Sequence, residues 1–200
     1  MKNLKIAIFA FLLVAGINTT QAQDEDNLWA LSFGVNIVDV NKGGLSDIGG
    51  MVKDFLGTGD WNAIPAISTI SVSRYMNYGL SVGITGSLNK IDTAVGKDDV
   101  NGLSFFALNV AAKYDLNALF GETGWFDPNI SFGVGSTWVD GDSGFTIKPG
   151  AGFNTWFNDN VGMSFDSSFN YSTSPFPSMK DTSNYFQHSI GLIIRFNGDE

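Results

Sequence analysis

The chain contains one histidine, His188, followed directly by Ser189. A histidine beside a serine hydroxyl suggests a general base next to a nucleophile. In an extended strand, however, successive side chains point to opposite faces, and no acid adjoins His188 in sequence to orient its ring. A rim histidine is therefore expected, and the chain is not expected to be an enzyme. Asp140-Gly141-Asp142 and Asp98-Asp99 place carboxylates close together. Calcium needs several oxygen ligands, so two or three loop acids are expected to be solvated charges, with neither a metal nor a cofactor. Lys113, Lys148, Asp166 and Arg195 are different, because each interrupts a run of apolar and small residues. They are expected to meet inside a closed structure as a polar network; the alternative is a narrow gated channel whose charges exchange partners. Arg74 lies in a less regular segment.

Several chemistries are excluded at once. The chain has no cysteine, which removes disulfides, thiolate metal sites and cysteine nucleophiles. Its 24 glycines form no phosphate-binding motif; they alternate within extended segments. At the N-terminus, Lys2 and Lys5 precede an apolar run from Ile6 to Ala15, and Thr20-Gln21-Ala22 then offers small residues. That order is the pattern of an export signal, so residues 1–23 are expected to be removed and 24–200 to form one domain. The run is too short for a membrane helix, which needs about 20 apolar residues. Without Lys2 and Lys5, nine basic residues face twenty acidic ones, a net charge of −11. Such an acidic chain is a poor partner for nucleic acid.

The elements that position these residues follow from the alternation. Trp29, Leu31, Phe33, Val35 and Ile37 share one face, and Ala30, Ser32, Gly34 and Asn36 the other. A soluble sheet would set charges opposite its apolar face; here the second face is Gly, Ser, Asn and Thr, suited to a narrow interior. The same pattern recurs around Ile64–Tyr75, Leu80–Asn89, Phe106–Tyr114, Ile130–Trp138, Phe145–Phe153, Val161–Tyr171 and Phe186–Phe196. It predicts an eight-stranded antiparallel transmembrane β-barrel of the outer-membrane type, because lipid tolerates strands only when closure satisfies every backbone group. Pro65 is placed near the outer end of the second strand. Loops are expected at Asn41–Trp61, Ile91–Gly102, Asp140–Gly144 and Ser172–Asn184. Tight turns are expected at Met76–Tyr78 and Asn158–Asn160, and a longer connection with a helical turn at Asp115–Gly124.

Aromatics gather near strand ends. Trp29, Tyr114, Trp125, Trp156 and Phe196 mark the turn side, and Trp138, Tyr171 and Tyr185 the loop side. These read as two girdles at the membrane interfaces. Phe196 additionally ends the final strand, as a terminal signal for outer-membrane insertion would.

The passages Leu28-Trp29-Ala30-Leu31-Ser32-Phe33-Gly34, Gly124-Trp125-Phe126-Asp127-Pro128, Trp156-Phe157-Asn158-Asp159-Asn160-Val161-Gly162 and Phe186-Gln187-His188-Ser189-Ile190-Gly191-Leu192 resemble the membrane barrel of OmpA-like proteins, particularly of Bacteroidetes-type bacteria. The resemblance implies an outer-membrane location with both termini in the periplasm, in contact with lipid and lipopolysaccharide. Members of that family continue into a peptidoglycan-binding domain, whereas this sequence ends at Asn197-Gly198-Asp199-Glu200, so the tether is not carried over. The role expected instead is structural or accessory, as a subunit of a larger outer-membrane assembly. The alternative is an autonomous barrel that binds a ligand or surface partner through its acidic loops.

Overall fold

A computed structural model describes residues 27–40, 61–94, 98–121, 125–179 and 182–197. Among the described residues the strands are β1 (Trp29–Val40), β2 (Trp61–Asn62), β3 (Thr69–Asn77), β4 (Leu80–Ala94), β5 (Asp98–Asp115), β6 (Phe126–Val139), β7 (Asp142–Trp156), β8 (Val161–Phe176) and β9 (Thr182–Phe196). From β3 to β9 each pairs antiparallel with the next, and β1 pairs with β3 and β9. The β1–β9 seam runs from Trp29↔Phe196 to Val40↔Tyr185 and closes the sheet into a barrel. Eight strands form the wall. The ninth, β2, is a two-residue strip that pairs with Val38 and Asp39, beyond the point where β3 leaves β1 at Gly34↔Thr69.

Closure depends on backbone approach at that seam. Gly34 pairs with Gly191, and a Cβ on Gly34 would collide with the Ile190 carbonyl and the Gly191 Cα. Two glycines face each other where no side chain fits.

The outer surface carries Val35, Ile70, Val72, Ile84, Leu88, Leu108, Val110, Phe132, Ile190 and Leu192, all substantially exposed. An apolar belt of this extent is not tolerated in water. It is the wall that the alternation predicts for a lipid-facing barrel. No helix among the described residues is long and apolar enough to cross a membrane.

The second strand begins at Thr69, not at Ile64, and Pro65 lies outside it in a bend. Proline cannot donate to a ladder. The chain instead returns to the barrel through Ser68, whose N–H donates to the Gly34 carbonyl at 2.8 Å. Two expected loops are largely strand. β4 and β5 extend to Ala94 and from Asp98, and β8 and β9 extend to Phe176 and from Thr182, with a three-ten turn at Pro177–Met179. The expected Asp140–Gly144 loop is a two-residue turn in which Asp140 (φ 48°) and Gly141 (φ 96°) are both left-handed, the demand that Asp-Gly meets in a tight hairpin. At the other end Tyr78 and Gly79 turn similarly. The helical turn in the long connection is present as α1 (Asn117–Phe120). The loop expected at Asn41–Trp61 lies outside the described residues except for Trp61.

Candidate functional site

The lumen is built in layers, and inward residues of successive strands define each. Nearest the turn end, Asp127 is 3% exposed and Trp156 1%. The Trp156 indole N–H donates to the Asp127 carboxylate, and Asn117 of α1 donates to the same carboxylate at 3.0 Å. Arg195 covers the other side of the indole with its guanidinium 4.4 Å from the ring centroid. It also donates to the Asp159 carbonyl. An acid and a cation thus flank one indole at the turn end.

The next layer is a cavity of about 90 Å³ lined by hydroxyl groups and by Lys113, Lys148 and Asp166. Lys113 donates to Asp166 at 2.8 Å, and Lys148 to the Gln187 amide oxygen at 3.3 Å. Ser32 and Ser164 meet at 3.0 Å. Beyond the cavity stand buried asparagines. Asn36 donates to the carbonyls of Ser68 (2.7 Å) and Leu88 (2.8 Å). Asn89 donates to the Asn36 and Asn62 carbonyls at 3.1 and 3.0 Å. The Asn62 side chain accepts from the N–H groups of Asp92 and Thr93 at 2.9 and 2.8 Å. This network fastens β2 to the β4 end, and the alternation gave no hint of it because two residues carry no period.

The loop end is filled by a dry core. Val38, Ile91, Val139, Phe176, Met179 and Tyr185 are fully buried there, with Phe105 at 2% exposure. Phe105 packs edge-on against Tyr185 at 5.4 Å, and the Tyr185 hydroxyl shares a 2.6 Å hydrogen bond with Thr137. This core explains why the predicted loops continue as strands: their inward residues are apolar and need partners. Ser178 docks the three-ten turn onto the same end, donating its N–H and hydroxyl to Asp142 at 3.0 and 2.8 Å.

The four charges expected to meet therefore divide. Lys113, Lys148 and Asp166 share the cavity, whereas Arg195 belongs to the turn-end layer, four residues nearer the strand end than Gly191. Arg74 points outward, 5.6 Å from the Trp29 ring. Among the expected interface aromatics, Trp29, Tyr114, Trp125 and Phe196 lie at the turn end, and Trp138 and Tyr171 at the loop end. All six are at least partly exposed, and Trp138 stacks with Phe106 at 5.2 Å. Trp156 and Tyr185 depart from that expectation. Both point inward, because burial lets the indole meet Asp127 and the phenol meet Thr137.

His188 and Ser189 do face opposite ways. Ser189 lines the cavity, while His188 is on the outer face, 4% exposed, between Trp61 (6.2 Å) and a parallel Phe186 ring (6.0 Å). Its cross-strand neighbours on that face are Ile37 and Ser167. His188→Ala is expected to leave the mass of lipopolysaccharide in the host membrane unchanged. A mass change would make His188 catalytic and Ser167 the nucleophile to replace next. Asp98 and Asp99 pair with Ala94 and Thr93 at the tip of the β4–β5 hairpin, and Asp140 lies in the β6–β7 turn. No group of three metal-binding side chains occurs among the described residues.

A closed eight-stranded antiparallel barrel with an apolar belt defines the class: the chain has the fold of the small outer-membrane barrels. Solved structures agree. OprG of Pseudomonas aeruginosa, an outer membrane protein, superposes with a TM-score of 0.52 at 11% identity, covering 88% of this chain and 99% of that one. Neisserial surface protein A does so with a TM-score of 0.51 at 13% identity, covering 86% and 98%. The outer membrane enzyme PagL also matches, with a TM-score of 0.42 at 10% identity, covering 84% and 99%. No family model and no curated protein sequence matches the chain.

Proposed function

We propose that this is an integral, non-conducting outer-membrane protein that works through its outer surface as an accessory subunit of a larger outer-membrane assembly. The observation that carries this reading is the dry core across the loop end of the lumen. Among the described residues Val38, Phe105, Val139, Phe176 and Tyr185 pack together at the loop end of the lumen, and ions do not cross apolar packing without water. It argues against the gated channel and leaves the wall and the two ends as working surfaces.

In this proposal residues 1–23 are an export signal and 24–200 the barrel domain, of the OmpA-like, Bacteroidetes type. Trp29 and Phe196 are paired at the turn end, so placing that end in the periplasm puts both ends of the barrel there. The belt contacts lipid and lipopolysaccharide, Phe196 serves as the insertion signal, and nucleic acid is not a partner. The protein is not an enzyme and carries no cofactor. Exposed Tyr78, Leu119 and Phe120 at the turn end support a protein contact there, since these apolar groups stand on a turn and a connection beyond the strand wall.

Isolation of the tagged protein from native membranes in mild detergent tests the reading. A stoichiometric outer-membrane partner is the expected result. A lone monomer under every mild extraction would overturn the accessory role and favour an autonomous barrel that binds through its acidic loops.

A further inference from the structure

We propose that the lumen cavity binds a small inorganic anion, of chloride to phosphate size, beside Lys148. Three charged side chains line the cavity: Lys113, Lys148 and Asp166. Lys113 and Asp166 form an ion pair at 2.8 Å; Asp166 also attracts Lys148, and the three together carry one net positive charge. Lys148 hydrogen-bonds a neutral acceptor, the Gln187 amide oxygen, at 3.3 Å. The remaining polar lining is mostly hydroxyl, including Ser131, Ser164 and Ser189, and among the described residues it holds no second carboxylate.

An ammonium between low-dielectric walls is costly without a counter-charge, and serine hydroxyls rotate freely to donate to an anion. The cavity, at about 90 Å³, accommodates a small ion but not an organic polyanion. Access is from the turn end. A smaller cavity lined by Asp115, Asp127 and Asn129 shares Ser81 and Lys113 with the larger one, whereas the apolar core closes the loop end. The site is therefore blind, so anion binding there stabilises the barrel and does not carry current.

Thermal unfolding of the full protein in detergent is the test, in sodium chloride, phosphate or gluconate at equal ionic strength. A ligand bound only by the folded state raises the melting temperature, so chloride or phosphate is expected to raise it several degrees above gluconate, which is too large to enter. The better of the two identifies the ion. Lys148→Met is expected to abolish the difference. A bromide-soaked crystal of the unsubstituted protein, which does not depend on the variant folding, is expected to show anomalous density within hydrogen-bonding reach of Lys148 Nζ. Unfolding that is indifferent to the anion, the same anion dependence in Lys148→Met, or a bromide-free cavity would each overturn the proposal.

Discussion

Replacing Trp156 with alanine is expected to lower the unfolding free energy by about 3–5 kcal/mol, the range for removing a large buried aromatic. Three groups depend on this ring. Asp127 accepts its N–H, Arg195 lies over its face, and α1 is held to the same carboxylate through Asn117. Truncation leaves a buried carboxylate short of a donor, and an unsatisfied buried charge costs more than a lost neutral hydrogen bond. Trp156→Phe keeps most of the packing but loses the N–H donor, so it should fall between the alanine variant and the unsubstituted protein. Urea unfolding in lipid vesicles, followed by tryptophan fluorescence and by heat-modifiable gel mobility, gives both numbers. If the alanine variant is as stable as the parent, the turn-end layer is not a structural seal.

Phe105→Ala should cost a similar amount, about 3–5 kcal/mol, because the ring fills the loop-end core at 2% exposure. It also bears on conduction. With Phe105 alone truncated, Tyr185 still crosses the lumen and holds Thr137 at 2.6 Å. Planar bilayers are therefore expected to stay at background, as with the parent protein. Removing both rings in Phe105→Ala/Tyr185→Ala empties the centre of the core, and current steps should then appear. Steady current through the unsubstituted protein would contradict a sealed lumen. Background current in a folded double variant would place the seal elsewhere, at the asparagine or the indole layer.

The fold was legible because one rule governs the whole wall. Apolar residues alternate with Gly, Ser, Asn and Thr in every spanning segment, and the same rule places Lys113, Lys148 and Asp166 inside. The rule misleads where it competes with another. Even-numbered residues of β7, such as Lys148, point inward, and Trp156 continues that series. Its place at a strand end suggested a girdle, yet parity decided its direction. Phe105-Phe106 and Tyr185-Phe186 put aromatics on both faces, so a packed core and an interface girdle look alike in one sequence. The interior ring is distinguished only by its neighbours across the barrel, which come from distant strands. The Asn36–Asn62–Asn89 network was hidden for the same reason: its three members lie in separate segments, and β2 has only two residues.

Site-specific photo-crosslinking in living cells tests the central claim most directly, with the reactive group placed in turn at Leu192 on the wall, Phe120 on α1 and Asp140 in the β6–β7 turn. The account predicts that at least one position captures a single outer-membrane protein in high yield, while a lumen position such as Ser164 captures nothing outside the chain. Adducts with lipid alone from every outward position would contradict it, leaving a barrel that acts without a protein partner.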